Sequence, residues 1–220
     1  GQKILTTRES GRGFDMKSAM KKVLVVNSSV SGEKGQSSQL IEQFIQALPA
    51  GFAREDVDLA ADAYPHLAMP ELAAWMTPVA DRSAEQQALA AISDQAIAAV
   101  ESADVILVGV PMYNFGVPTQ LKSWFDRLAR AGITFKYTEQ GPVGLLQNKP
   151  VIFFATRGGI YKDLPADSQT PFLKSFFSFI GLTDLHFIYA EGLNMGADSA
   201  QQALAAAKAQ IGEVSAKIAA

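Results

Sequence analysis

Residues 104–116 read Asp-Val-Ile-Leu-Val-Gly-Val-Pro-Met-Tyr-Asn-Phe-Gly, an apolar run that stops in a loop of large side chains. A continuous apolar run, without the polar alternation of a half-exposed strand, suits a strand buried on both faces of a parallel sheet. Asp104–Val110 is therefore expected to be such a strand. The same signature recurs on either side. Lys22–Asn27 (KVLVVN) ends in Ser28-Ser29-Val30-Ser31-Gly32, a loop signal. Val151–Ala155 (VIFFA) ends at Thr156-Arg157-Gly158-Gly159, Leu185–Ala190 supplies a further strand, and Asp56–Leu59 a weaker one.

Helical spacing fills the intervals. Residues 37–48 carry Leu40, Ile41, Phe44, Ile45 and Leu48, all on one helical face. Ser83 followed by Gln86 reads as a capping box, opening a helix with Leu89, Ile92, Ala96 and Val100. Pro118 suits the first turn of a helix whose apolar face is Leu121, Trp124, Phe125 and Leu128. A helix is expected over 170–180. Ser199 with Gln202 is expected to cap a last one bearing Leu204, Ala207, Ile211, Val214 and Ile218. Residues 133–137 alternate, with Gln140-Gly141-Pro142 as a turn. Residues 60–82, holding Pro65, Pro70 and Pro78, read as a long irregular loop. Strands alternating with helices imply an α/β fold. We expect a doubly wound five-stranded parallel sheet with helices on both faces, in the flavodoxin-like order 2-1-3-4-5.

The 220 residues are 48% hydrophobic with a formal net charge of −3. The chain is long enough for a well-buried core and lacks the basic runs that nucleic acid requires. The absence of cysteine excludes disulfides, thiolate metal sites and cysteine-linked flavin. His66 and His186 lack metal-ligand spacing, so no metal is expected. No stretch is long and apolar enough to span a membrane. Residues 1–19 are polar and lack the apolar stretch of a secretory signal. They read as an N-terminal extension before a domain over 20–220, with Met16 and Met20 as candidate starts and the cytoplasm as the expected location.

In such a sheet, ligands sit beyond the carboxyl ends of the strands where the order reverses, here between the first and third strands. Three loops fall at that edge: 28–38, 111–117 and 156–160. The first is rich in Ser and Gly and enters a helix, so its hydroxyls and N–H groups suit a phosphate; an ordinary polar turn fits the same residues. It carries neither a nucleotide-hydrolysing P-loop nor the dinucleotide Gly-x-Gly-x-x-Gly. In the second, Met112, Tyr113 and Phe115 suit the faces of a flat aromatic ligand, or a turn tucked into the core. In the third, Gly158 and Gly159 let the backbone approach a ligand closely.

The residues on these loops resemble those of the FMN-dependent azoreductase family, relatives of the flavodoxin-like NAD(P)H:quinone reductases. The matching stretches are Lys22–Ser29, Pro111–Phe115 (PMYNF), Thr119–Lys122, Phe125-Asp126, Ala129–Gly132 (ARAG), Thr134-Phe135 and Tyr137–Glu139. They continue through Arg157–Ile160 (RGGI), Thr170-Pro171, Phe179–Gly181 and Ala190–Gly192. The resemblance implies that Ser29, Gly35, Gln36 and Ser37 hold the FMN phosphate. It also implies that Met112, Tyr113, Asn114 and Phe115 line the isoalloxazine, and that Thr156, Arg157, Gly158 and Gly159 meet its polar rim. FMN would be bound non-covalently, with NADH or NADPH as donor and a quinone or aromatic azo compound as acceptor, in a ping-pong cycle. No side chain is expected to act as an obligatory acid or base. A homodimer with sites at the subunit interface is implied as well. Phe115, Phe135, Tyr137 and Phe179 are candidates for the substrate pocket, although plain core or interface packing fits each of the last three, taken singly, better. Gly35 departs from the Ser frequent in the family, so one hydroxyl contact to phosphate is expected to be missing. A flavodoxin-type electron carrier, without substrate turnover of its own, is the rival reading on the same fold.

Overall fold

The computed structural model describes residues 20–220; residues 1–19, read above as an extension with Met16 as one start, lie outside the described residues. The strands are β1 (Lys21–Asn27), β2 (Phe52–Asp58), β3 (Val105–Pro111), β4 (Phe135–Thr138), β5 (Gly141–Gly144), β6 (Val151–Thr156) and β7 (Leu185–Ala190). The helices are α1 (Gln36–Ala47), α2 (Met69–Met76), α3 (Ala84–Ser102), α4 (Thr119–Leu128), α5 (Gln169–Phe179) and α6 (Ala197–Ala219). Five strands form one sheet in the order β2-β1-β3-β6-β7, every pairing parallel, while β4 and β5 make a separate antiparallel hairpin.

The unbroken apolar runs are central because both faces of the sheet are covered. Every residue of β3 and β6 is buried. Side chains alternate between faces along a strand. Leu24, Val26, Ile106, Val108 and Phe153 therefore meet Ile97 and Val100 of α3, Trp124 and Phe125 of α4 and Phe177 of α5. On the other face Val23, Val25, Leu107, Ile152 and Phe154 meet Leu40, Ile41 and Phe44 of α1 and Ile211 of α6. Each fully buried side chain of this size stabilises by about 1.5–3 kcal/mol relative to exposure.

The capping box forms as expected: the Gln86 N–H donates to Ser83 Oγ at 3.2 Å and the Ser83 N–H to Gln86 Oε1 at 3.1 Å. Several boundaries move. The second strand begins at Phe52, because its whole length pairs with β1, from Lys21↔Phe52 to Asn27↔Asp58, although much of it is polar. Gly141 and Pro142 belong to β5 rather than to a turn. Pro118 precedes α4, its carbonyl accepting from the Leu121 and Lys122 N–H groups. The last helix starts at Ala197, and Ser199 Oγ donates to the Gly192 carbonyl at 2.7 Å instead of capping.

The segment 60–82 is the largest correction. It contains α2 and a short 3-10 turn, Val79–Asp81. Pro70 lies in the first turn of α2, where a missing N–H breaks no helical bond, so this proline opens a helix. Glu71 in the same turn makes a two-pronged ion pair with Arg127 of α4, at 3.0 and 2.8 Å, both side chains buried. Long-range pairing stabilises a helix too short to persist alone.

Candidate functional site

At the carboxyl edge of the sheet, β1, β3 and β6 each run into a loop, and the three loops are tied together. The Val30 N–H donates to Tyr113 Oη at 3.1 Å, joining the first loop to the second. The Met112 N–H donates to the Thr156 carbonyl at 2.9 Å, joining the second to the third. Ser28 Oγ donates to the Gly109 carbonyl at 2.8 Å beneath them.

The first loop delivers the N-terminus of α1. Its first backbone bond at that end is from the Gln39 N–H to the Gly35 carbonyl, at 3.0 Å. The N–H groups of Gln36, Ser37 and Ser38 precede it and are free for an anion, as first-turn donors are. Ser29 is buried and its Oγ accepts from the Ser31 N–H at 3.2 Å. Gly35 is the N-cap, and a Cβ there would strike Ser29 Oγ and Cβ. This packing accounts locally for glycine at the position where a serine was the family expectation. Gln36 is exposed, and Ser37 is buried against Gly109.

The second loop is a tight turn in which Asn114 (φ 51°) and Phe115 (φ 68°) both adopt left-handed backbone. Tyr113 and Gly116 close it through paired backbone bonds of 3.4 and 3.1 Å. Asn tolerates this region and Phe does not, so the turn stores on the order of 1–2 kcal/mol of strain. It is held from outside. Gln169 Nε2 donates to the Gly116 and Pro111 carbonyls at 2.9 and 3.2 Å, and Ser168 Oγ to the Phe115 carbonyl at 2.7 Å.

A cavity of about 300 Å³ opens between the second and third loops, lined by Met112, Asn114, Phe115, Gly158, Gly159, Tyr161 and Asn194. Among the described residues, the backbone N–H groups of Asn114, Phe115, Gly158 and Gly159 make no backbone bond and are available to the polar edge of a ligand. A flat ring between apolar Met112 and Phe115, its carbonyl edge toward these donors, and a phosphate at α1 fit the groups present. Tyr161 and Asn194 escaped the sequence reading. Their signal was position alone: Tyr161 follows Arg157–Ile160, and Asn194 follows the Ala190–Gly192 stretch.

Some expected site residues lie elsewhere. The Tyr113 side chain is turned to Val30, and Thr156 is buried at the end of β6. The Arg157 guanidinium faces inward, 1% exposed, and makes a paired bond to Asp167 at 2.9 and 2.8 Å. It also reaches Glu191 at 3.4 Å and lies over the Tyr189 ring. Burial pushes the Asp167 carboxyl up, but the Arg157 and Thr170 hydrogen bonds outweigh it and hold the group below the ordinary aspartate range. Arg157 thus acts on the site through the loop it anchors: its charge, once buried, requires these partners. Phe135, Tyr137 and Phe179 pack on one another, with Phe135–Phe179 centroids at 4.3 Å. None of them lines the cavity with Phe115. Phe135 instead borders a separate cavity of about 510 Å³ beside Trp75 and Met76. The cause is the hairpin's anchorage, which sets β5 against the end of α5 through the Leu146 N–H to Ile180 carbonyl bond.

The family model described as flavodoxin-like fold matches residues 21–214. The FMN-dependent NADH:quinone oxidoreductase of Alteromonas mediterranea is 51% identical over 89% of this chain and 98% of its own. That of Alcanivorax borkumensis is 50% identical over 86% of this chain and 97% of its own. Among solved structures, the azoreductase from Bacillus anthracis Sterne aligns with a TM-score of 0.80 at 29% identity, over 90% of this chain and 100% of that one.

Proposed function

From the premise that this chain belongs to the flavodoxin-like fold family and to its FMN-dependent NADH:quinone oxidoreductases, we propose that it reduces quinones and aromatic azo compounds with NADH. The observation that carries the reading, beside kinship, is that the three loops are tied together at one edge of the sheet, with a cavity between the second and third and free N–H donors beside it and at the start of α1. Counting β6 and β7 as the fourth and fifth strands of the wound sheet makes the order 2-1-3-4-5, with the reversal between β1 and β3.

The Gln36, Ser37 and Ser38 N–H groups would hold the FMN phosphate, and Met112, Asn114 and Phe115 would seat the ring. Bound there, FMN supplies two-electron hydride chemistry, from NADH to the acceptor. The chain's own part is placement and electrostatics. The Gly158 and Gly159 N–H groups would meet the polar edge of the bound ring and would favour negative charge there. The strained Asn114–Phe115 turn presents its donors without reorganisation. No side chain is assigned as obligatory acid or base. As the family resemblance implies, donor and acceptor would use the site in turn, a ping-pong cycle. We further propose a homodimer in which Tyr137 and Phe179 of one protomer approach the cavity of the other, and a cytoplasmic location.

The test is anaerobic mixing of FMN-loaded protein with NADH, and separately NADPH, while following the flavin's visible absorbance. Rapid bleaching by NADH, reversed by adding a quinone or azo dye, is the expected result. Tightly held flavin that neither nucleotide bleaches identifies an electron carrier instead.

A further inference from the structure

Tyr161 stands in the cavity wall with its hydroxyl uncommitted. Its backbone is pinned: the Tyr161 and Lys162 N–H groups donate to Glu191 Oε2 at 2.6 and 2.9 Å, and the Leu164 N–H to the Tyr161 carbonyl at 3.0 Å. Glu191 is itself held by buried Arg157, which also grips Asp167 farther along the same loop. The ring meets Phe115 edge-on, centroids 5.3 Å apart. The hydroxyl lies over the third loop, 2.6 Å from where a Cβ of Gly159 would stand. Among the described residues no group is hydrogen-bonded to that hydroxyl. The loop that carries it is thus rigidly founded, while the one polar side-chain atom of Tyr161 stands in the cavity wall without a partner among the described residues.

Resting on the reading above, we propose that the Tyr161 hydroxyl donates a hydrogen bond to the oxygen of a carbonyl acceptor and so sets a preference for quinones over azo compounds. Two observations assign it to the exchanging ligand rather than to the retained cofactor. The ring's polar edge already has backbone donors, at Asn114, Phe115, Gly158 and Gly159. Tyr161 lies instead at the mouth, beside Phe115 (49% exposed) and Ile160 (54% exposed), where a ligand enters and leaves. A phenol O–H donates well to a carbonyl oxygen, and the bond strengthens as that oxygen gains negative charge. An azo nitrogen is the poorer acceptor. Gly159 allows the approach, since any side chain there would occupy the space of the hydroxyl.

Tyr161→Phe removes this one atom and leaves the Glu191 bonds to the backbone in place. FMN affinity, read from quenching of flavin fluorescence, is expected to stay within about twofold of wild type. Binding of p-benzoquinone to the oxidised, FMN-loaded protein, read as a perturbation of the flavin spectrum, is expected to weaken roughly fivefold, the worth of one neutral hydrogen bond. The chain has no cysteine, so the side chain that benzoquinone alkylates fastest is absent. With NADH as donor, kcat/KM for the quinone is expected to fall by a similar factor, and that for an azobenzene dye by less than twofold. Unchanged quinone binding overturns the proposal. A parallel loss of FMN affinity also overturns it, by assigning the hydroxyl to the cofactor. Failure of the wild type to oxidise NADH overturns the functional reading separately, because the oxidised-protein titration still reports on Tyr161.

Discussion

At the scale of single residues, the loops of the site are held by side chains that do not line its cavity. Arg157 reads in the sequence as a rim residue because it adjoins two glycines, yet its guanidinium is buried against Asp167. Sequence proximity placed Arg157 on the third loop. It carried no information on where the four rotatable bonds of the side chain would send the charge. The consequence is a pH dependence of stability. The folded-state carboxyl of Asp167 is held below its unfolded value, near 4, so the pair contributes fully above that value. The contribution is lost as pH falls through the lowered folded value. Asp167→Ala is expected to cost about 3–5 kcal/mol in urea unfolding at neutral pH by stranding Arg157, with the gap to wild type closing below about pH 4. A gap constant down to pH 2 on the same unfolding curves contradicts this. Gly144 and Gly181 show a similar blindness: a Cβ on Gly144 would run into the backbone of Ile180 and Gly181, a contact between residues distant in the chain.

Among the elements, the buried strands were the most legible, because burial on both faces demands an uninterrupted apolar run and β3 and β6 supply it. Helix α3 was legible from its capping box, a local interaction within four residues. Helix α2 was not. Its three flanking and internal prolines signal a loop locally, while the force that stabilises it comes from α4, through Glu71–Arg127, and from Tyr64 under the same guanidinium. Double-mutant logic tests this. Glu71→Leu or Arg127→Leu alone is expected to cost about 3–5 kcal/mol, since each leaves a buried charge unpaired. The double variant is expected to recover most of that loss, giving a coupling energy in chemical denaturation well above the scatter of additive pairs. Additive losses would show that α2 is held by its apolar contacts alone.

For the whole molecule, several of the exposed apolar side chains gather around the β4–β5 hairpin and the cavity beside it. Tyr137 (74% exposed), Val143 (44%) and Leu145 (39%) lie along or just beyond the β4–β5 hairpin, and Met76 (72%) and Val79 (70%) border the cavity beside it. Such a collection marks an interaction surface. In the proposed homodimer it is covered, and light scattering is expected to give about twice the 23.5 kDa chain mass. Tyr137→Glu with Val143→Glu is expected to yield a monomer of unchanged far-ultraviolet circular dichroism and poor acceptor turnover; a wild-type monomer overturns the proposal. By itself the sequence determined the α/β class, the central strands, the helices with strong local signals and the three loops that meet at the site. Periodicity and capping act over a few residues and are written where they act. Only the tertiary structure decided that Arg157 turns inward, that residues 69–76 are helical, that Tyr161 and Asn194 join the cavity, and that Phe135 borders another. Each of these rests on contacts between segments far apart in the chain, and the free energy of such contacts exists only once the fold has brought the segments together.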